Sequence, residues 1–227
     1  MASNQQILSD LRVVMEARHE LELMNIYKGV PFICKAWIDR IDGEQAVLRA
    51  QGPSLVCLAA EKRTRVLGSD YFEPSQAQAL SVDLQHNEIV LANFSYLGAH
   101  LGERMVVRVE PRADLAVWID CEGRRATGQV ADLSMSGMGV RFPINAYLPV
   151  LKPGASILAG LELPSGPVSL GGTVISSTRA ADQYRISVRF VAEQAHRLAI
   201  FHYLVDRRAE IEQELAEEYE RACRALE

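Results

Sequence analysis

Apolar residues near the start of the chain recur at helical spacing. In QILSDLRVVMEARHELELM (6–24), Ile7, Leu11, Val14 and Met15, followed by Leu21 and Met24, fall roughly along one face. That pattern predicts an amphipathic N-terminal helix. The rhythm then changes to short apolar or alternating runs punctuated by Gly, Asp, Pro and Asn: PFICKAWIDRI (31–41), EQAVLRA (44–50), SLVCLAAE (54–61), ALSVDL (79–84) and NEIVLANF (87–94). Runs of this length and spacing predict the strands of a small antiparallel barrel or sandwich. A polar, glycine-containing passage, SYLGAHLGER (95–104), precedes a second set of predicted strands: DLAVWID (114–120), RRATGQVADLS (124–134), GMGVRFP (137–143), ASILAGLEL (155–163), PVSLGGTVISSTR (167–179) and YRISVRFV (184–191).

Helical period returns after residue 191, with Leu198, Phe201, Leu204 and Val205 as an apolar stripe. Beyond Arg208 the sequence is mostly charged and only Ile211 and Leu215 mark a seam. Such a tail either lies solvated or pairs with another helix. A homodimer through this helix is one expectation, although so few seam positions do not sustain a coiled coil alone. The order is helix, β-unit, linker, β-unit, long helix, and the fold class is mainly β.

A length of 227 residues suits one large domain or two small ones, and 48% apolar content supplies enough core for either. The formal charge of −5 and the pI near 5.6 argue against general affinity for DNA or RNA, which depends on neutralising phosphates. They leave room for a local basic site that takes a small anion. No apolar run approaches the roughly 20 residues of a membrane span, and MASNQQILSDLRVVMEARHE lacks the basic start and apolar core of a signal peptide. A cytoplasmic location is expected. Cys34, Cys57, Cys121 and Cys223 are scattered rather than paired as metal ligands, and a reducing compartment disfavours disulfides. They read as buried or incidental thiols. His19, His86, His100, His196 and His202 show no metal-ligand spacing, and neither a Ser–His–Asp arrangement nor a P-loop appears. No catalytic residue, metal or cofactor is expected.

One segment resists this scheme. ERMVVRVEPRADL (103–115) carries Arg104, Arg108 and Arg112 every fourth residue. On a helix they would form one stripe, but Val106, Val107 and Val109 favour strand and Pro111 pushes Glu110 toward an extended conformation. Twenty-four residues after Arg108 comes DLSMSG, with Asp132, Ser134 and Gly137. Asp, Ser and Gly together are ordinary turn chemistry, and the pattern occurs also in NFSYLG (93–98), read here as a turn. Arg185 and Arg189 repeat the arginine spacing inside a strand, where they read as a solvated face. The combination and its order carry the information. Adjacent antiparallel strands bring the start of one beside the end of the next, so Arg104, Arg108, Asp132, Ser134 and Gly137 can form one site from two pieces of sequence.

With this motif set, residues 103–205 resemble the PilZ domain, a bacterial receptor module for cyclic di-GMP: an arginine pair, a spacer, then Asp/Asn-x-Ser-x-x-Gly, on a small barrel with a C-terminal helix. RVEP, GMGVRF and YRISVRFV agree with the surroundings of that motif. Residues 1–98 more loosely resemble the N-terminal split-barrel-like unit of flagellar-brake proteins, in length and order of elements only. The resemblance implies two small antiparallel β-barrels, with an N-terminal helix and β-barrel at 1–98, a linker carrying the arginines at 99–112, a PilZ domain at 103–205 and a helical extension at 206–227. It also implies a receptor that binds cyclic di-GMP, changes its interdomain arrangement, and regulates motility, biofilm or exopolysaccharide output by contact with flagellar motor parts or polysaccharide machinery. The chemistry agrees. Arginine forks onto phosphate oxygens, reads guanine O6 and N7 and stacks on purines. Asp132 accepts from guanine N–H groups, Ser134 donates or accepts at the edge of the site, and Gly137 permits close approach or φ > 0. Arg112 is a third, rim cation whose part is open. Glu103 stands where an extra arginine would serve two stacked ligands, which favours one ligand per chain. Two alternatives remain: a PilZ-fold interaction adaptor that no longer binds nucleotide, and an enzyme whose N-terminal barrel holds a flavin.

Overall fold

The computed structural model describes residues 4–68, 72–97, 107–112, 115–143, 151–179 and 183–225. In chain order the elements are α1 (Asn4–Glu16), β1 (Leu21–Tyr27), β2 (Val30–Asp42), β3 (Gln45–Ala50), α2 (Ser54–Glu61), β4 (Arg63–Leu67), β5 (Ser75–Asp83), β6 (Glu88–Tyr96), β7 (Ala116–Cys121), β8 (Arg124–Leu133), β9 (Gly137–Pro143), β10 (Ser156–Leu163), β11 (Gly166–Arg179), β12 (Gln183–Phe190) and α3 (Gln194–Arg224). The strands close into two antiparallel barrels, ordered β1-β2-β3-β6-β5-β4 and β10-β11-β12-β9-β8-β7. The mainly β class with two small barrels and helices at both ends is therefore as the sequence predicts. Two compact units result: Met1–Tyr27 with Pro31–Met105 and Ile211–Glu227, and Lys28–Val30 with Val106–Glu210.

In the first unit α1 buries Ile7, Leu8, Leu11 and Val14 in the barrel core. The Asn4 side-chain oxygen accepts the Phe94 N–H at 2.9 Å and Asp10 accepts the Tyr96 hydroxyl at 2.7 Å. The helix is shorter than its predicted 6–24. Arg18 turns into the left-handed region at φ 54° and the His19 N–H returns to the Val14 carbonyl, a helix stop normally made by glycine. Leu21 and Met24 belong to β1, where Leu21, Leu23 and Asn25 alternate inward; their helical spacing from α1 is coincidental. SLVCLAAE, read above as a strand, is α2. Pro53 stands at its start, Lys62 caps it at φ 53°, and Ser54, Leu55, Cys57 and Leu58 bury one helical face. A short apolar run bears no period that separates the two states. Of NFSYLG, predicted as a turn, Asn93 to Tyr96 instead continue β6, with Asn93 at φ 54° where the β5–β6 register shifts, and Gly98 lies outside the described residues.

The second unit packs its barrel core around Ile119, Leu133, Val140, Phe142 and Ile186, closed by Ile200 of α3. The buried face of α3 keeps one residue of the predicted stripe, Leu204, and not the other three. Ala199, Tyr203 and Leu204 accompany Ile200 against this core, whereas Leu198, Phe201 and Val205 are 56%, 49% and 50% exposed. Farther along α3, Ile211 and Leu215 are fully buried and are counted with the first unit, where the Tyr27 hydroxyl donates to Glu218 at 2.6 Å. The charged tail is thus not a solvated extension, and its seam is occupied within the chain. Among the described residues no helix is long and apolar enough to cross a membrane.

Candidate functional site

The site is built on an irregularity in β8. Between Val130 and Asp132 the β8–β9 register shifts by a bulge, so Val130 and Leu133 both point into the core while Asp132 reaches the outer face opposite Gly139. Without the extra residue, strict alternation would turn Asp132 inward with Val130. Just beyond, Ser134 is 1% exposed, and both its backbone N–H and its hydroxyl donate to the Gly137 carbonyl at 2.9 Å. Ser134 therefore locks the turn and points away from solvent. Gly137 is not at positive φ. A Cβ there would lie 2.7 Å from the Val188 carbonyl, so glycine is required for the close approach of β9 to β12.

The arginine segment lies against this turn. Val109 and Leu133 form an isolated antiparallel bridge, each N–H donating to the other's carbonyl at 2.9 Å. The bridge sets Arg108 beside Asp132, and Arg108 Nη1 donates to Asp132 Oδ1 at 3.0 Å. The other carboxylate oxygen, Oδ2, accepts from Arg185 Nη2 at 2.7 Å. Arg185, read from the sequence as part of a solvated face, is therefore a member of the site. Only the register of β12 against β9 reveals it, because Ser187 pairs with Gly139 and Arg185 lies one rung along. Gly139 makes room for the ion pair: a Cβ there would stand 2.5 Å from Asp132 Oδ2 and 3.2 Å from Arg185 Nη2. Side-chain exposures of 44% for Arg108 and 49% for Arg185, against 17% for Asp132, leave both guanidiniums open to solvent around a sheltered carboxylate.

The same face carries more cation than it neutralises. Arg141 of β9 is directly opposite Arg185 of β12, a like-charge pair that costs stability of order 0.2–1 kcal/mol. Arg189 faces Gly137 one strand away. Of the sequence-predicted residues, Arg104 lies outside the described residues, and Arg112 parts from this cluster. Arg112, 74% exposed, pairs with Glu210 of α3 at 3.2 Å; the other Glu210 oxygen holds the buried Arg207, whose Nε donates to the Glu110 carbonyl at 2.9 Å. Arg207, 4% exposed, escaped sequence reading because it sits in a run of charged residues. On the opposite side the Glu110 N–H donates to the Lys28 carbonyl at 2.9 Å, and Gly29, at φ 83°, packs against the Arg108 carbonyl where a Cβ would come within 2.5 Å. The described part of the arginine segment is therefore held by β8, by the Lys28–Gly29 turn and by α3. Among the described residues no group of acidic, His and Cys side chains could hold a metal.

Residues 103–205 match the family model described as the PilZ domain. Among solved structures the chain is similar to the MrkH–c-di-GMP complex of K. pneumonia, at 15% identity over 93% of this chain and 97% of that one, with a TM-score of 0.48. It is similar also to the inhibitor of motility MotI/DgrA of Bacillus subtilis, at 13% identity over 85% and 96% with a TM-score of 0.44. A third is YcgR in complex with c-di-GMP from Escherichia coli, at 16% identity over 97% and 95%, also with a TM-score of 0.44. No curated protein sequence matches the chain.

Proposed function

We propose that the protein is a receptor for cyclic di-GMP, on the match of residues 103–205 to the PilZ domain model, and that its ligand is held by Arg108, Asp132 and Arg185, with Arg104 completing the arginine pair. One observation carries this reading: a sheltered carboxylate shared by two half-exposed guanidiniums on the outer face of β8, β9 and β12. Asp132 is the acceptor that guanine N1–H and N2–H require, and its two arginine partners are the groups that fork onto phosphate oxygens or guanine O6 and N7. Arg141, opposite Arg185, adds a further cation to this face, which favours an anion there. Ser134 and Gly137 serve as positioning residues, one locking the turn and the other letting the strands close.

Binding changes the arrangement of the N-terminal unit (1–98) and the PilZ unit, because the connecting residues 99–112 include the arginines. The output is a protein contact in the cytoplasm, with flagellar motor or polysaccharide machinery as the class of partner. No catalytic step is assigned. If the chain forms a homodimer through α3, the exposed Leu198, Phe201 and Val205 are the residues that would meet.

Thermal unfolding with nucleotides tests the guanine assignment. Ligand at a hundred times its dissociation constant adds about 2.7 kcal/mol, or a rise of roughly 5–11 °C for a chain of this size. Cyclic di-GMP should produce that rise and cyclic di-AMP should not, since adenine offers no N1–H to Asp132. Equal responses to both, or to neither, would contradict the reading. Scattering profiles that superimpose with and without bound ligand would contradict the rearrangement.

A further inference from the structure

A second concavity of the PilZ unit is unconnected with Asp132. It is a groove of about 730 Å³, bordered on one side by α3 and on the other by the end of β10 and the turn that follows it. Leu115, Leu163 and the half-buried Tyr203 supply apolar surface, and burial pushes the Tyr203 phenol up. Asp206 on α3 and Glu162 on β10 contribute exposed carboxylates. Glu210 at one end is already engaged by Arg112 and Arg207. Among the described residues Glu162 and Asp206 have no cationic partner.

We propose that this groove docks a short, extended, basic segment of a partner protein, with an apolar side chain against Leu115, Leu163 and Tyr203 and a lysine or arginine between Glu162 and Asp206. The charge pattern selects the occupant. A nucleotide would meet two uncompensated carboxylates. A small free cation would satisfy those carboxylates and leave the apolar floor wet, whereas a peptide does both at once. The helical wall from His202 to Glu210 spans nine residues, eight steps or about 12 Å at the helical rise, the length of three to four residues of extended chain. An extended ligand of that size falls within the usual volume range of binding pockets.

The experiment uses the ligand-free full chain, so its outcome is independent of cyclic di-GMP binding. Two synthetic tetrapeptides, Ac-Phe-Arg-Leu-Lys-NH2 and its acidic counterpart Ac-Phe-Glu-Leu-Glu-NH2, are titrated while methyl and amide NMR signals are followed. The basic peptide should shift the methyls of Leu115 and Leu163 and the amide of Asp206, and the acidic peptide should not. Glu162→Lys with Asp206→Lys should weaken the basic peptide at least tenfold, and the milder Glu162→Gln with Asp206→Asn should weaken it in the same direction if the lysine pair fails to fold. The proposal is overturned if neither peptide shifts these signals, if both do so equally, if the shifts map elsewhere on the chain, or if the variants bind as the parent does. Arginine amide binding as tightly as the peptide would place a small cation there and overturn it as well.

Discussion

Replacing Gly139 by alanine isolates the geometry of the site from the stability of the barrel. The added methyl would lie 2.5 Å from Asp132 Oδ2, 3.1 Å from its Cγ and 3.2 Å from Arg185 Nη2. Ordinary contact begins about 3.4 Å out, so the carboxylate must retreat by roughly 0.9 Å, enough to break an ion pair now at 2.7 Å. The atoms that give way are the ends of side chains, and Gly139 is not at positive φ, so the strand tolerates the change. Loss of native ion pairing between groups this exposed costs at most about 1 kcal/mol, and the gain in chain stiffness from glycine to alanine offsets 0.4–1 kcal/mol. The melting temperature should therefore stay within about 3 °C of the parent. Binding behaves differently. A charge-assisted hydrogen bond is worth about 1.5–3 kcal/mol, so misplacing Asp132 should weaken cyclic di-GMP between about tenfold and a hundredfold. Calorimetric titration gives the affinity and thermal unfolding gives the stability. Gly137→Ala is the counterpart, because its methyl meets the Val188 backbone carbonyl at 2.7 Å, where no side chain can yield; there stability should fall by about 2 kcal/mol or more. A Gly139→Ala protein that binds within threefold of the parent, or unfolds as early as Gly137→Ala, would refute this reasoning.

Arg112→Ala should change cyclic di-GMP affinity less than threefold, because Arg112 is committed to Glu210; a loss comparable to that of Arg108→Ala would return it to the site. Ile211→Ala should cost about 2–5 kcal/mol in urea unfolding, the range for truncating a fully buried side chain; a solvated tail would show less than about 0.5 kcal/mol. Iodoacetamide at pH 8 followed by mass spectrometry should modify the half-buried Cys223 first. Burial raises the Cys34 thiol and pushes Cys57 up to about 11, helped by the nearby Glu61 carboxylate, so both should stay in the unreactive thiol form until the protein unfolds.

The second barrel was legible because each of its strands alternates or runs apolar between clear turns, and the motif residues fall at strand ends. The first barrel was less so. β4 reads RTRVL, with too few apolar residues to announce a strand, and α2 is short and apolar, which no periodicity can assign. For α3 the predicted stripe misled at three of its four positions. Leu198, Phe201 and Val205 are the more hydrophobic, yet the small Ala199 and the amphipathic Tyr203 lie on the buried side with Ile200. The pairing of Arg108 with Asp132 follows from adjacency of strands and could be anticipated. The part of Arg185 could not, since it depends on a bulge at Ala131 and on which rung of β12 meets Gly139. Neither is encoded by spacing along the chain.

The most direct test of the receptor reading is calorimetric titration of cyclic di-GMP into the full chain and into its Arg108→Ala and Asp132→Ala variants. Saturable binding of micromolar or tighter affinity is expected for the parent, with loss of at least 1.5 kcal/mol, about tenfold, in each variant and unchanged folding by circular dichroism. Absence of binding to the folded parent, or undiminished binding by both variants, would contradict it.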